Sequence, residues 1–87
     1  MITRKMKVTI SGGLHMEPAT ALVSACRPFD VDVVLKFGGN EYNLKSVLGV
    51  LAAGVMEGDE VEFVCIGPEE EQAMAALIKA FEGINVK

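Results

Sequence analysis

The chain has 87 residues, of which 51% are hydrophobic, and its formal net charge is −4. This length supports a single domain over residues 1–87 with a core of modest size. The acidic balance argues against direct nucleic-acid binding, which needs a basic surface. No apolar run reaches the roughly 20 residues of a membrane helix, and the start of the chain alternates instead of forming an apolar stretch. We therefore predict no membrane insertion, no signal peptide and a cytoplasmic protein.

The two cysteines, Cys26 and Cys65, are far apart in sequence, and neither belongs to a CxxC motif. This spacing favours free thiols in the core over a disulfide. His15 is the only histidine, so no set of side chains with the spacing of metal ligands is present. We expect neither a metal nor a cofactor.

Hydrophobic periodicity divides the first half of the chain into a strand, a helix and a hairpin. The helix carries apolar residues at helical spacing, and Pro28 ends it. The turn Gly38-Gly39-Asn40 joins two strands as a hairpin. The predicted elements are a strand through Met6, Val8 and Ile10, a helix from about Met16 to at or before Arg27, a strand from Val31 to Phe37 and a strand from Glu41 to Leu44.

Three further elements follow Ser46, which is a suitable N-cap for a short apolar helix. A strand covers Glu60 to Ile66. The last helix begins at Gly67-Pro68 with Glu69 to Glu71 in its first turn, where the helix dipole favours negative charge, and Gly83 is its predicted stop. The order βαββαβα predicts a two-layer α+β domain in which four strands are covered on one face by three helices.

His15 lies where a glycine-rich turn meets the start of the first predicted helix. The first N–H groups of a helix, here those of Met16 and Glu17, have no intrahelical partner and attract anions. The histidine would therefore stand beside a phosphate-binding site. The residues alone leave two interpretations equally open: a nucleophile for phosphoryl chemistry, or a surface or capping histidine. No nucleophile elbow accompanies it that would indicate a catalytic triad.

Ser46 also has two interpretations. It is either a plain N-cap or a phosphorylation site, where a phosphate would add up to about two negative charges at the helix start. The neighbouring Val47, Leu48 and Leu51 cannot all face a core from one or two turns, so we expect some exposed apolar area. Such area often marks a docking surface, although the periodicity is equally compatible with a purely structural role.

Three stretches resemble the HPr family, the histidine phosphocarriers of the bacterial phosphoenolpyruvate-dependent sugar phosphotransferase system. GLHMEPAT resembles the active-site stretch GLHARPA, NLKSVLGV resembles the regulatory serine segment, and EGDEVEFVCIGPEEEQA resembles the passage before the last helix. The resemblance runs from Met6 to about Phe81. It implies an open-faced β-sandwich with a four-stranded antiparallel sheet and the βαββαβα order.

The resemblance also implies roles for both candidate residues. His15 would accept a phosphoryl group from phosphorylated enzyme I and pass it to the A domains of sugar permeases, as a monomeric carrier and not an enzyme in the strict sense. Ser46 would be the target of an HPr kinase/phosphorylase, as in Gram-positive relatives, where this modification slows transfer and promotes binding to a catabolite-control transcription factor. The residues implied in partner docking are Glu17, Thr20, Arg27, Lys45, Val47, Leu48 and Leu51. Of these, Arg27 and Lys45 are equally well explained as solvated surface charges.

Glu17 departs from the family pattern, because the family has an arginine at this position, and a guanidinium suits phosphate. Two unit charges about 5 Å apart interact by roughly 3 kcal/mol at an effective dielectric of about 20, reduced by exposure and salt to about 1 kcal/mol or less. That value applies to each pair of charges, and here repulsion replaces attraction, so we expect phosphoryl transfer through His15 to be slowed by about one or two orders of magnitude with the usual partners, but not abolished. The same glutamate would suit a partner with a basic docking face.

Three functions follow in order of preference. The first is an HPr-like phosphocarrier. The second is an HPr-like regulatory paralogue that works mainly through Ser46, with weak or no transfer through His15. The reason to consider it is Glu17, which stands where the family has an arginine. The third is a binding module that docks without phosphoryl chemistry, ranked last because both phosphorylatable residues stand in recognisable contexts.

Overall fold

The computed structural model of the protein describes residues 1–85. Its elements follow the predicted order: β1 (Ile2–Lys7), α1 (Met16–Cys26), β2 (Asp32–Phe37), β3 (Asn40–Asn43), α2 (Val47–Ala53), β4 (Glu60–Ile66) and α3 (Glu70–Ile84). The four strands form one sheet in the order β1-β4-β2-β3, and every pairing is antiparallel. The expected α+β open-faced β-sandwich is confirmed.

One face of the sheet packs against the helices, and its side chains form the core. Val33 and Leu35 on β2 are buried, whereas Asp32 and Lys36 on either side of this pair are exposed and Val34 between them is half-buried, as the two-residue period of a strand requires. On the neighbouring strand, the ring of Phe63 meets the ring of Phe81 from α3 edge to face, with centroids 5.3 Å apart. Aromatic pairs in this geometry contribute beyond the area they bury.

The opposite face of the sheet carries one row of charges that alternate in sign across all four strands. Lys5, Glu62, Lys36 and Glu41 lie opposite one another in register on β1, β4, β2 and β3. The ammonium of Lys36 lies 3.8 Å from the carboxylate of Glu41. Opposite charges on neighbouring strands favour their pairing, so this row suits a face exposed to water.

The first strand begins and ends earlier than predicted, because its partner β4 pairs with it only from Lys7 backwards. Beyond Lys7, the Val8 N–H donates to the Asp59 carbonyl at 2.8 Å, and the Gly58 N–H donates to the Val8 carbonyl at 2.7 Å. Beyond Lys7, the hydrogen bonds of the first segment therefore go to the turn before β4 and not to β4 itself. Val8 and Ile10 are still buried, so their alternation reflected burial and not strand pairing.

Both ends of the last helix differ from prediction. Gly83 lies inside α3, which ends at Ile84, and Asn85 is the C-cap. The Asn85 side chain holds this end by donating to the Lys7 carbonyl at 2.9 Å and accepting from the Thr9 N–H. The end of α3 is thus fixed by contacts with residues distant in the sequence, and Gly83 does not terminate the helix.

The start of α3 uses its glutamates for hydrogen bonds as well as for dipole compensation. Glu69 precedes the helix, and its carboxylate accepts from the Asp30 N–H at 2.7 Å. Glu70 accepts from the Gly67 N–H at 3.1 Å. The first turn therefore contains only Glu70 and Glu71, and not Glu69 as predicted. Glu69 instead links the start of α3 to the segment that follows α1.

Both cysteines are buried thiols without a disulfide, as the sequence predicted. Burial raises the pKa of Cys26 and raises the pKa of Cys65 to about 11, because a thiolate would lose its hydration there. Within residues 1–85, no helix is long and apolar enough to cross a membrane.

Candidate functional site

His15 is the N-cap residue of α1, yet its side chain does not cap the helix. Its carbonyl accepts the first helical hydrogen bond, from the Ala19 N–H at 2.9 Å, and its imidazole is exposed. No hydrogen bond found in residues 1–85 involves the ring. The imidazole is therefore not used for capping, and a nucleophile for phosphoryl chemistry and a plain surface histidine both stay open.

Gly12 lets the imidazole lie close to the backbone that precedes it. Its φ is +82°, which glycine adopts without the usual steric penalty. A Cβ at this position would lie 3.2 Å from His15 Cδ2 and 3.6 Å from His15 Nε2. The Cδ2–Nε2 edge of the ring thus rests towards Gly12, and the edge carrying Nδ1 is turned away from it.

The loop that carries His15 is packed tightly on the segment after α2. A Cβ at Gly13 would lie 2.2 Å from the Val55 carbonyl oxygen, so this close approach requires a glycine. The Leu14 N–H donates to the same carbonyl at 3.0 Å. These contacts fix the start of α1 against the end of α2.

The first turn of α1 leaves two backbone donors beside the imidazole. Pro18 has no N–H, and the Ala19 N–H is already bonded to the His15 carbonyl. The remaining donors are the N–H groups of Met16 and Glu17, and neither donates in any backbone hydrogen bond found within the described residues. Donors at a helix N-terminus suit the oxygens of a phosphoryl group.

A depression of about 400 Å³ adjoins the imidazole. Its lining residues are Ile10, Ser11, His15, Glu17, Pro18, Ala21 and Ile84. Glu17 is exposed and forms no salt bridge within residues 1–85. A carboxylate therefore shares this depression with the ring, and it would repel a phosphoryl group placed there.

Two larger depressions do not include either candidate residue. One of about 630 Å³ lies between β1 and α3, and one of about 510 Å³ lies beside β2 and β3. Neither contains His15 or Ser46. The size of a depression alone would therefore not have identified His15 as a candidate residue. Across the described residues, no group of three metal-ligating side chains is gathered.

Ser46 is a true N-cap of α2. Its Oγ accepts from the Gly49 N–H at 3.1 Å, and its own N–H donates to the Asn43 carbonyl at 3.2 Å. A Cβ at Gly49 would lie 2.5 Å from that carbonyl oxygen, so the helix start is pressed against the end of β3. The capping interpretation of Ser46 is confirmed, and phosphorylation at this residue stays a prediction.

The apolar residues predicted for docking differ in exposure. Leu48 is 76% exposed, whereas Val47 and Leu51 are half-buried and pack against the core. Met16 and Met56 are also exposed, at 59% and 58%. No local pattern in the sequence marks Met56, because its nearness to the histidine loop arises from the packing of Gly13.

The polar residues predicted for docking also differ. Thr20 is exposed, but its hydroxyl donates to the Met16 carbonyl at 2.8 Å. Arg27 is exposed as the C-cap residue of α1, where a cation complements the helix dipole. Lys45 is half-buried, and its ammonium donates to the Phe29 carbonyl at 2.6 Å. Lys45 thus has a structural role on the connection after α1 that the sequence did not reveal.

Comparisons with known proteins agree with this fold. The family PTS-HPr, described as the PTS HPr component phosphorylation site, matches residues 2–83. The structure of HPr-C-His from Thermoanaerobacter tengcongensis is similar at a TM-score of 0.90 and 28% identity, over 95% of this chain and 93% of that one. Crh, a catabolite repression protein of Bacillus subtilis, is similar at a TM-score of 0.75 and 29% identity over 100% of both chains.

A third similar structure is a histidine-containing phosphocarrier protein of Mycoplasma, with a TM-score of 0.92 and 23% identity over 99% of both chains. At this identity the likeness concerns the fold. The family match spans nearly all of the sequence, and carrier and Crh structures alike share its fold over nearly their whole length. The chain belongs to the HPr family.

Proposed function

We propose that the protein is a cytoplasmic phosphocarrier that takes a phosphoryl group from phosphorylated enzyme I onto His15 and passes it to the A domains of sugar permeases. The observation that carries the proposal is the exposed, uncapped imidazole beside the unused N–H groups of Met16 and Glu17. Membership of the HPr family supports the same reaction.

The ring geometry suggests which nitrogen reacts. The Cδ2–Nε2 edge rests towards Gly12, so Nδ1 is the nitrogen that an incoming phosphoryl group can approach. In the transfer, the lone pair of Nδ1 forms the new P–N bond while the bond between phosphorus and the donor group of enzyme I breaks, and the proton of the neutral imidazole stays on Nε2. The backbone N–H groups of Met16 and Glu17 then stabilise the phosphoryl oxygens.

Glu17 slows this transfer when the partner is one that normally faces the arginine of other family members. A carboxylate beside the accepting nitrogen raises the free energy of the phosphorylated state, whereas an arginine lowers it. Because the side chain is exposed, solvent and salt reduce the repulsion to about 1 kcal/mol or less. The backbone donors do not depend on this side chain, so the reaction is slowed and not lost.

The proposal is tested by incubating the protein with phosphoenolpyruvate and enzyme I and following acid-labile phosphate over time. The wild type should be labelled, Ser46→Ala should be labelled equally, and His15→Ala should carry no label. A His15→Ala variant that labels as fast as the wild type overturns the proposal.

A second function is favoured by Glu17, and Crh, at 29% identity, is about as similar in sequence to this chain as HPr-C-His is at 28%. The protein would then be a regulatory paralogue in which an HPr kinase/phosphorylase modifies Ser46 with ATP. The phosphorylated form would bind a catabolite-control transcription factor. Incubation with ATP and this kinase should modify the wild type but not Ser46→Ala. Absence of phosphate on the wild type would remove this alternative.

A further inference from the structure

The outer edge of β1 is an open strand edge. This strand lies at one end of the sheet and pairs with β4 alone. Along a strand, the N–H and C=O groups of successive residues point to opposite sides. Val8 directs both of its groups to the turn before β4. The corresponding groups of Thr3, Lys5 and Lys7 therefore point away from β4, to the outer edge.

Two of these outward groups have partners, and the others are open. Asn85 Nδ2 donates to the Lys7 carbonyl at 2.9 Å, and Arg4 Nη1 donates to the Thr3 carbonyl at 2.9 Å. Within residues 1–85, no hydrogen bond is found for the N–H groups of Thr3, Lys5 and Lys7 or for the Lys5 carbonyl. A row of open backbone groups is a template for one more strand.

The depression of about 630 Å³ between β1 and α3 adjoins this edge. Its apolar lining residues are Ile2, Met74, Ala75 and Ile78, and its charged ones are Arg4, Glu71, Lys79 and Glu82. The charged residues are two of each sign, so the depression favours neither an anion nor a cation. A strand added to β1 would direct every second side chain to this side of the sheet, where an apolar side chain is suited to the apolar lining.

The inner edge of β1 shows which kind of strand it accepts. On β4, Glu62 and Glu60 lie opposite Lys5 and Lys7, on the face of the sheet away from the helices. Val61 between the two glutamates is buried in the core. The outer edge presents the same two lysines on the same face, so it is complementary to another strand in which carboxylates and apolar residues alternate.

A second copy of β1 does not fit this edge. The strand has the sequence ITRKMK, with three basic residues and no acidic one. An antiparallel pair of such strands centred on Lys5 would place the two Lys5 ammonium groups opposite each other, and like charges in that position destabilise pairing. Lysines on an edge strand therefore discourage self-association and leave the edge available to an acidic segment.

We propose that the outer edge of β1, with the depression beside α3, binds an extended segment of a partner protein in which acidic and apolar residues alternate. The segment pairs with the open backbone groups of Thr3, Lys5 and Lys7, as in other cases of strand addition. Its carboxylates meet Lys5 and Lys7, and its apolar side chains enter the depression. This depression shares no residue with the one beside His15, so the inference goes beyond phosphoryl transfer and does not depend on it.

The test titrates the isotope-labelled protein with the synthetic peptide acetyl-Glu-Val-Glu-Leu-Glu-Val-amide and follows the backbone amide signals by NMR. The signals of Thr3, Lys5 and Lys7 should move, and their hydrogen exchange should slow, because these N–H groups gain partners. The same peptide with lysine in place of each glutamate should bind at least about tenfold more weakly. Both peptides are used with the unmodified protein, so this comparison does not depend on the folding of a variant.

A pair of protein variants locates the site. Lys5→Glu should weaken binding of the glutamate peptide by about tenfold. Lys36→Glu is the matched control, because Lys36 also lies opposite Glu62 on the same face but belongs to β2, inside the sheet. Both variants lose a cross-strand pair with Glu62, and only Lys5→Glu changes the edge. Binding by Lys36→Glu should equal that of the wild type.

The contrary outcomes are equally distinct. The inference is overturned if the wild type does not bind the glutamate peptide at millimolar concentration, or if the amide signals that move lie outside β1 and α3. Equal binding by Lys5→Glu and Lys36→Glu, or equal binding of the two peptides, overturns it as well. If the protein binds the peptide but acquires no phosphohistidine, the proposed function fails and this inference stands.

Discussion

The starts of α1 and α2 make opposite use of a similar arrangement. Each helix begins at a residue proposed for phosphorylation, and each helix start is pressed against a carbonyl group at a glycine. Ser46 uses its Oγ to accept from the Gly49 N–H, whereas His15 leaves its ring unused and the first backbone donors of α1 unpaired. The comparison teaches that position at a helix start does not define a role. A side chain that caps supports the helix, and one that does not cap is available for chemistry.

The largest expected effect comes from the loop that sets the start of α1. Gly13→Ala would place a Cβ 2.2 Å from the Val55 carbonyl oxygen at a φ of +71°. We expect the free energy of unfolding to fall by about 3 kcal/mol or more, as overpacking adds to backbone strain. Denaturant unfolding measures this loss.

Gly38→Ala is its matched control, because Gly38 also has a positive φ, +61°, but an added Cβ would meet nothing within 4 Å. Only the backbone strain of about 1 kcal/mol should remain. Equal losses for the two variants would show that close packing does not fix the start of α1.

The two N-cap residues should differ in their contribution to stability. Ser46→Ala removes a capping bond, so the free energy of unfolding should fall by about 1 kcal/mol. His15→Ala removes no hydrogen bond found in the described residues, so the change should stay within about 0.5 kcal/mol. Thermal or denaturant unfolding of the two variants compares them directly. A larger loss for His15→Ala than for Ser46→Ala would reverse the contrast between the two helix starts.

The next prediction concerns Gly12, which lies against the imidazole of His15. Gly12→Ala would put a Cβ 3.2 Å from His15 Cδ2, and the exposed ring can move away. Its loss of stability should therefore match the roughly 1 kcal/mol of Gly38→Ala, while phosphohistidine formation slows severalfold because the ring is displaced. The labelling rate with enzyme I is the measurement. An unchanged rate would mean that Gly12 does not position the ring.

The smallest effect on stability concerns the side chain next to the histidine. With an enzyme I whose own carrier has an arginine at the position of Glu17, Glu17→Arg should be labelled about tenfold or more faster than the wild type, and Glu17→Gln should lie between them. Stability should be unchanged in both variants, since the side chain is exposed and unpaired within residues 1–85. Equal rates for all three proteins would remove the electrostatic argument.

Much of the fold could be predicted from the sequence because its signals are local. The bounds of α1 follow from its periodicity and from Pro28, and the cap at Ser46 follows from one serine before an apolar stretch. What the sequence missed depends on contacts between distant residues. The end of α3 is held by hydrogen bonds of Asn85 with Lys7 and Thr9. These partners are distant in the sequence, so helix-termination patterns cannot predict them.

The candidate site was predictable in part for the same reason. A glycine-rich turn before a helix indicated where His15 would stand, and the HPr resemblance indicated its role. The bond from Lys45 to the Phe29 carbonyl and the place of Met56 beside Gly13 come from packing between elements. The sequence therefore identified the candidate residue, and the structure was needed to describe the surface around it.

The most direct test of the account is to locate the phosphoryl group after reaction with phosphoenolpyruvate and enzyme I. Phosphorus and nitrogen NMR of the product assign the modified atom. The account predicts a single phosphohistidine with the phosphorus on Nδ1 of His15, and Ser46 unmodified. A product with phosphorus on Nε2 would contradict the ring geometry, and a chain with no phosphohistidine would contradict the carrier function itself.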